Sequence, residues 1–216
     1  MRQTAKNLHV AYMTIYNKFL WLSEKASEFH SLQKFTCKEL QFDETESIEH
    51  TKLKPLSIAV AVTESYQILG IKVGSIPAKG RLAEISYKKY GPRINESSLK
   101  VKALLEEIQS QLLFNPVVIK SDQKPSYKNI VKKVFPKILY EQHLSRGNKE
   151  KRREMKYHKQ EKKIFDPLFA LNQRCAKFRD HIKRMARRSW CTTKRKDHLE
   201  KHFMLYIARN NDYCFC

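Results

Sequence analysis

Apolar residues in the first thirty positions return at helical spacing. Ala5, Leu8 and Val10, then Ile15, Phe19, Leu20 and Leu22, predict helix from Arg2 to Phe29. Val10-Ala11-Tyr12 interrupts the pattern and separates a short helix from a second that begins near Met13-Thr14, with Thr14 as its cap. From Phe35 to Gly74 the period becomes that of a strand. Phe35 to Glu46, Pro55 to Val62 and Gln67 to Val73 read as three strands joined by short turns, an antiparallel meander. Lys79 to Tyr90 reads as a short helix stopped by Gly91-Pro92. Ser98 to Phe114 is amphipathic, with Val101, Leu104, Leu105, Ile108, Leu112 and Leu113 on one face. Val117 to Lys120 is a short buried strand. A helical crossover leads to it, so it should lie parallel to the first. Tyr127 to Phe135 follows as a helix and Ile138 to Gln142 as a last strand. Phe165 to Arg188 and Lys194 to Arg209 are helical. Leu168, Leu171, Ala176, Phe178, Ile182 and Met185 are the expected core of the first, and Leu199, Phe203, Tyr206 and Ile207 of the second.

Three strands, helix, strand, helix, strand and C-terminal helices is the element order of α/β ribonuclease-H-like folds, a mixed sheet flanked by helices. Two units are expected. Residues 1–33 form a helix-turn-helix-like DNA-binding segment, incomplete because no further helix precedes it. Thr14, Tyr16, Asn17 and Lys18 would be its DNA contacts; an ordinary helical hairpin explains the same pattern equally well. Residues 34–213 form the ribonuclease-H-like domain, with a basic loop at 146–163 and Arg-rich C-terminal helices.

Charge narrows the function. Lys and Arg number 43 against 22 Asp and Glu, a net +21, which calls for an acidic partner and above all nucleic acid. Between Arg146 and Lys163 nine basic residues face three acidic ones, so Arg152 and Arg153 lie on an expected phosphate-binding arm, or simply on a solvated loop. Between Arg174 and Lys201 eleven basic residues face three acidic ones. Arg179, Lys183 and Arg187 recur at four-residue spacing and should form one ridge, joined by Arg184, Arg188 and Lys194 as phosphate contacts. His181 reads as structural or phosphate-touching, and Trp190 as core or as a stacking surface. No apolar run reaches the roughly 18 residues that a membrane span needs. No apolar signal core follows Met1, which suits a cytoplasmic, nucleoid-associated protein. The five cysteines show no CxxC spacing, which argues against a zinc site.

Asp43 ends one apolar run and Asp122 another. In the expected fold the first and fourth strands are adjacent, so the two carboxylates become neighbours. Such a pair suits Mg²⁺ or Mn²⁺, since hard cations prefer carboxylate oxygens. Two metal ions about 4 Å apart can stabilise the attacking and leaving oxygens of phosphodiester displacement. Strand alternation puts Glu44 on the face opposite Asp43. Phe42 and Thr45 should pack. A lone strand-end aspartate is otherwise a turn or cap residue.

Phe42-Asp43-Glu44-Thr45-Glu46-Ser47, Val118-Ile119-Lys120-Ser121-Asp122 with Tyr127 following, and the run from Phe178 to Lys194 resemble bacterial insertion-sequence transposases of the first-described insertion-sequence type. The resemblance covers roughly Leu40 to Asn211, and its most specific part is the Arg-rich run Ile182 to Lys194. It implies a DDE recombinase, shortened at its N-terminus, that uses Mg²⁺ or Mn²⁺ to cut and join double-stranded DNA at element ends and target. It also implies a homo-oligomer on DNA. The family's third acid, a Glu, falls at Asn172, and the nearest upstream carboxylate is Asp166. Asn172 or Asp166 is thus the third candidate, with a helix N-cap as the other explanation of Asp166. Two alternatives remain on these residues: a DNA-binding remnant or inhibitor without catalysis, and a structure-selective nuclease of the same fold.

Overall fold

The computed structural model describes residues 1–143, 166–185 and 192–213. The basic loop at 146–163 with Arg152 and Arg153, together with Arg187, Arg188 and Trp190, lies outside the described residues.

The elements run α1 (Arg2–Asn7), α2 (Tyr12–Leu32), β1 (Glu39–Ile48), β2 (Pro55–Thr63), β3 (Ile68–Ser75), α3 (Leu82–Tyr90), α4 (Ser97–Gln111), β4 (Val118–Asp122), α5 (Pro125–Val134) and β5 (Leu139–His143). After residue 166 come α6 (Phe169–His181), a 3-10 turn (Lys183–Met185) and α7 (Lys196–Asn210). The five strands form one sheet in the order β3-β2-β1-β4-β5. β1, β2 and β3 pair antiparallel, whereas β4 pairs parallel to β1 and β5 parallel to β4. That mixed sheet, with helices on both faces, is the ribonuclease-H-like architecture expected from the element order.

Strand alternation sorts β1 and β2 into two cores. Leu40 and Phe42 of β1 and Ala59 and Ala61 of β2 face α4 and α5, where they meet Leu104, Leu105, Ile108 and Tyr127. Leu56, Ile58, Val60 and Val62 face the C-terminal helices and meet Leu171, Phe178, Leu199 and Phe203. β2 is therefore covered on both sides, which explains why it reads as a continuous apolar run. Gly70 on β3 allows the close approach of α4, since a Cβ there would lie 2.8 Å from Leu104 Cδ1. Gly91 ends α3 at φ 73°, the left-handed conformation that favours glycine.

Several boundaries differ from expectation. β1 begins at Glu39, not Phe35, because Phe35 pairs with the end of α4, accepting from Leu113 N–H and donating to Gln111 O. α2 begins at Tyr12 with Ala11 at its N-cap, so Thr14 is inside the helix and caps nothing. On α6 Cys175 is buried in place of Ala176, which is exposed. α6 also stops at His181. Ile182 leaves helical geometry at φ −99°, ψ 96°, and Met185 N–H closes a turn on Ile182 O that buries both side chains. Arg179 and Lys183 consequently do not share a continuous helical ridge.

Candidate functional site

β1 and β4 pair Glu39 with Val118, Leu40 with Ile119 and Gln41 with Lys120. The same register carried two residues on sets Asp43 beside Asp122. Both point to the sheet face that α6 covers, the face of Gln41 and Thr45. Burial pushes the Asp43 carboxyl up to about 7, and the Asp122 charge adds to the rise. Burial raises Asp122 as well. Asp122 also does the ordinary work of a turn aspartate, its Oδ1 accepting the Lys124 N–H at 3.2 Å.

Helix α5 closes the site from above. Pro125 opens that helix with its φ preset, and Tyr127 in its first turn is fully buried against Phe42. The Tyr127 hydroxyl reaches the middle of β1, where it lies 3.2 Å from Asp43 Oδ1 and 2.9 Å from Glu44 Oε2. Burial and the surrounding carboxylates raise its pKa far above that of an ordinary tyrosine, so it remains a donor. Glu44 therefore joins the site. Alternation does direct it to the α4 face, yet the Tyr127 hydroxyl lies beyond the end of β4 and serves carboxylates from both faces. Burial opposes the Glu44 charge, but bonds from Lys124, Ser57 and Ser97 outweigh that and hold its carboxyl below the usual range. Lys124 Nζ is ion-paired to Glu44 and lies 2.7 Å from Ser97 Oγ. Asp43, Glu44, Asp122, Lys124 and Tyr127 thus line one open cleft of about 380 Å³.

Asp166 and Asn172 lie elsewhere in the arrangement. Asp166 Oδ1 accepts the Leu168 N–H at 3.1 Å, and its Oδ2 accepts Asn172 Nδ2 at 2.9 Å. The two candidates for a third acid are bonded to each other at the start of α6, and neither lines the cleft. Gln41 fixes this helix start, its side chain bonding Pro167 O and Leu171 N–H. The α6 residue in the field of Asp43 is Cys175, whose thiol burial pushes up to about 12. Arg179 Nη2 donates to Thr45 Oγ1 at 2.7 Å.

The donor set where β1 passes the end of β4 is hence Asp43 and Asp122, each already accepting a hydrogen bond, with Glu44 ion-paired to Lys124. Among the described residues no group of three or more His, Cys, Asp or Glu side chains converges on a metal position. Two hard oxygen donors with open space beside them still fit Mg²⁺, which keeps several waters and often binds through one or two carboxylates plus substrate phosphates.

The remaining expected contacts are spread over the surface. Thr14, Asn17 and Lys18 are exposed on α2, with Lys18 Nζ 4.1 Å from the Trp21 ring centre. Tyr16 turns inward, its hydroxyl 3.2 Å from His198 Nε2. α2 is seated on the body of the protein through Phe19, Ser23, Ala26 and His30. His30 bonds Leu69 O and the Tyr213 hydroxyl. Lys183 is exposed, Arg184 donates to Thr192 O, and Lys194 lies 2.9 Å from His50 Nδ1. His181 lies 3.2 Å from the Tyr206 hydroxyl. Among the described residues no helix is long and apolar enough to cross a membrane.

Sequence reasoning gave no role to Tyr127 or Lys124, although both stand within five residues of Asp122. A donor cluster Lys-Pro-Ser-Tyr opening the helix after a strand-end Asp was the available signal.

No protein-family model matches the chain, and no curated protein matches it. Among solved structures, the chain is similar to the catalytic core domain of the HTLV-2 integrase, solved in complex with magnesium in a dimeric form. The two are 14% identical, with 65% of this chain and 84% of that one covered, at a TM-score of 0.27. A likeness at that level carries no argument about activity. The ribonuclease-H-like fold rests on the strand order and pairing of this chain itself.

Proposed function

We propose that this protein is a polynucleotidyl transferase that cuts DNA and joins strand ends, acting as the transposase of an insertion element. The observation that carries the reading is the register of β1 and β4, which sets Asp43 beside Asp122. Burial raises the proton affinity of both carboxylates, the Asp122 charge raises that of Asp43 further, and a bound divalent cation would remove that cost.

Asp43 and Asp122 would hold Mg²⁺ or Mn²⁺. When bound, such an ion polarises a phosphoryl oxygen and orients the incoming nucleophile. The chain's own groups do the rest. Tyr127 orients Asp43 and Glu44 through one hydroxyl. Lys124, held by Glu44 and Ser97, keeps a positive charge at the cleft for the substrate phosphate. The net +21 supplies general attraction for DNA. Thr14, Asn17 and Lys18 on α2 remain the proposed DNA contacts of the N-terminal segment, with Lys183 and Lys194 near the C-terminal helices. Action as a homo-oligomer on DNA, at the nucleoid, belongs to the same reading.

The test is metal-dependent nicking of DNA taken from the flanks of the gene. The native chain should nick with Mn²⁺ or Mg²⁺, and Asp43→Asn and Asp122→Asn should lose nicking by at least about a thousandfold while still binding DNA. Equal nicking by all three would refute the site.

A second reading is favoured by one observation. Where α6 faces Asp43 it offers Cys175, and among the described residues no carboxylate of that helix lines the cleft. A DNA-binding protein without catalysis would have that composition. Tight DNA binding with no metal-dependent nicking by the native chain would select it.

A further inference from the structure

Apart from the Asp43 cleft, α6 and α7 enclose a second concavity of about 490 Å³. Arg174, Lys177 and His181 line it from α6, and Tyr206, Arg209 and Asn210 from α7. Arg174, Lys177 and His181 are spaced three and four apart, and Arg209 and Asn210 stand three and four residues after Tyr206, so each trio lies on one face of its helix. Arg174 is held in place on both sides. Its Nε donates to Tyr66 O at 2.6 Å, and its Nη1 donates to Asn210 Oδ1 at 2.5 Å. The Tyr206 hydroxyl lies 3.2 Å from His181 Nδ1. Among the described residues no carboxylate lines the pocket. Asp180 lies 3.6 Å from His181 with its side chain 83% exposed, at the rim.

Three permanent cations converge here on a concave surface that, among the described residues, no acid lines. Arrangements of that kind are stabilised by an anion, and an anchored guanidinium with a phenol and an imidazole beside it offers the donors a phosphate needs. The geometry points to a pocket for the backbone phosphates of nucleic acid, a second anchoring site separate from the cleft of Asp43 and Asp122. The pocket is open, and the chain carries net +21, which favours a long polyanion over a small phosphorylated molecule. This site requires no metal, and it would serve a DNA-binding chain without catalysis as well as a transposase.

The test measures binding of a fluorescent DNA duplex of arbitrary sequence, by anisotropy, across a range of salt and without divalent metal. Lys177→Ala/Arg209→Ala is compared with Lys132→Ala/Lys133→Ala, which removes two exposed charges from α5 on the opposite side of the sheet. The pocket pair should weaken binding roughly tenfold and lower the salt slope by about two, while the α5 pair should change affinity less than about twofold. Lys177→Arg/Arg209→Lys should bind like the native chain. Equal losses from both Ala pairs, or no loss from the pocket pair, overturns the inference. So does pocket-dependent binding of inorganic phosphate in calorimetry with an unchanged DNA salt slope, which would make it a small-anion site. No metal is present and no cleavage is scored, so this outcome stands apart from that of the nicking assay.

Discussion

Asp43 and Asp122 stand side by side because β1 and β4 are parallel and paired at Glu39–Val118, Leu40–Ile119 and Gln41–Lys120. Two acids far apart in sequence thereby share one dielectric environment. Burial raises the cost of ionising each, and the Asp122 charge raises that of Asp43 further. The pair is a local source of instability unless a cation or a proton is present.

That relationship sets a pH dependence. The Asp43 carboxyl moves from 3.8 to about 7 on folding. Between those values the folded chain keeps a proton that the unfolded chain has released, so stability falls as pH rises across the window. The contribution, reduced for partial exposure, is on the order of 2 kcal/mol. Asp122→Asn removes the neighbouring charge. It should therefore be more stable than the native chain at pH 8 and match it at pH 4, as read from urea denaturation. The comparison between variants cancels the general effect of the cationic surface. A difference that is the same at both pH values would contradict the coupling of the pair.

Divalent metal should act on the same groups. Mn²⁺ or Mg²⁺ at roughly ten times its dissociation constant should stabilise the native chain by about 1.4 kcal/mol, seen as a rise in Tm. The rise should be larger at pH 8 than at pH 5.5, because the ligands must lose their protons. It should vanish in Asp43→Asn and in Asp122→Asn, and chelator should reverse it. An unchanged metal response in both variants would place the ion elsewhere.

Tyr127→Phe isolates a positioning role. The ring is fully buried against Phe42, so the substitution preserves packing and removes only the hydroxyl that serves Asp43 and Glu44. Loss of two bonds to charged groups should cost about 1–3 kcal/mol of stability. Because that bond lowers the Asp43 pKa, the variant should raise it further, as followed by carboxyl NMR titration. A purely structural tyrosine would change stability and leave the titration where it was.

Much of the architecture was legible because periodicity is a local property. Val101, Leu104, Leu105 and Ile108 on one face of α4 mark a helix wherever they fold, and they are buried as expected. The uninterrupted apolar run of β2 marks a strand covered on both sides. What failed was of another kind. Phe35 left the strand to pair with the end of α4, and α6 broke at Ile182 because burying Ile182 and Met185 outweighed continuing a helix. Propensity and spacing carry no information about such competition between a helix and the core beneath it.

The sequence by itself determined the order of elements, the cationic character and the two strand aspartates, since each is written in residue type and short-range spacing. Only the tertiary structure decided which groups share a site, and it set Asp43 in the middle of β1 beside the end of β4. It brought Glu44, Tyr127 and Lys124 to the aspartates, bonded Asp166 to Asn172, and set Cys175 of α6 in the field of Asp43. It also joined Arg174, Lys177 and Arg209 around one pocket. Those relations depend on strand register and on the seating of two helices, and both are fixed by contacts between residues far apart in the chain.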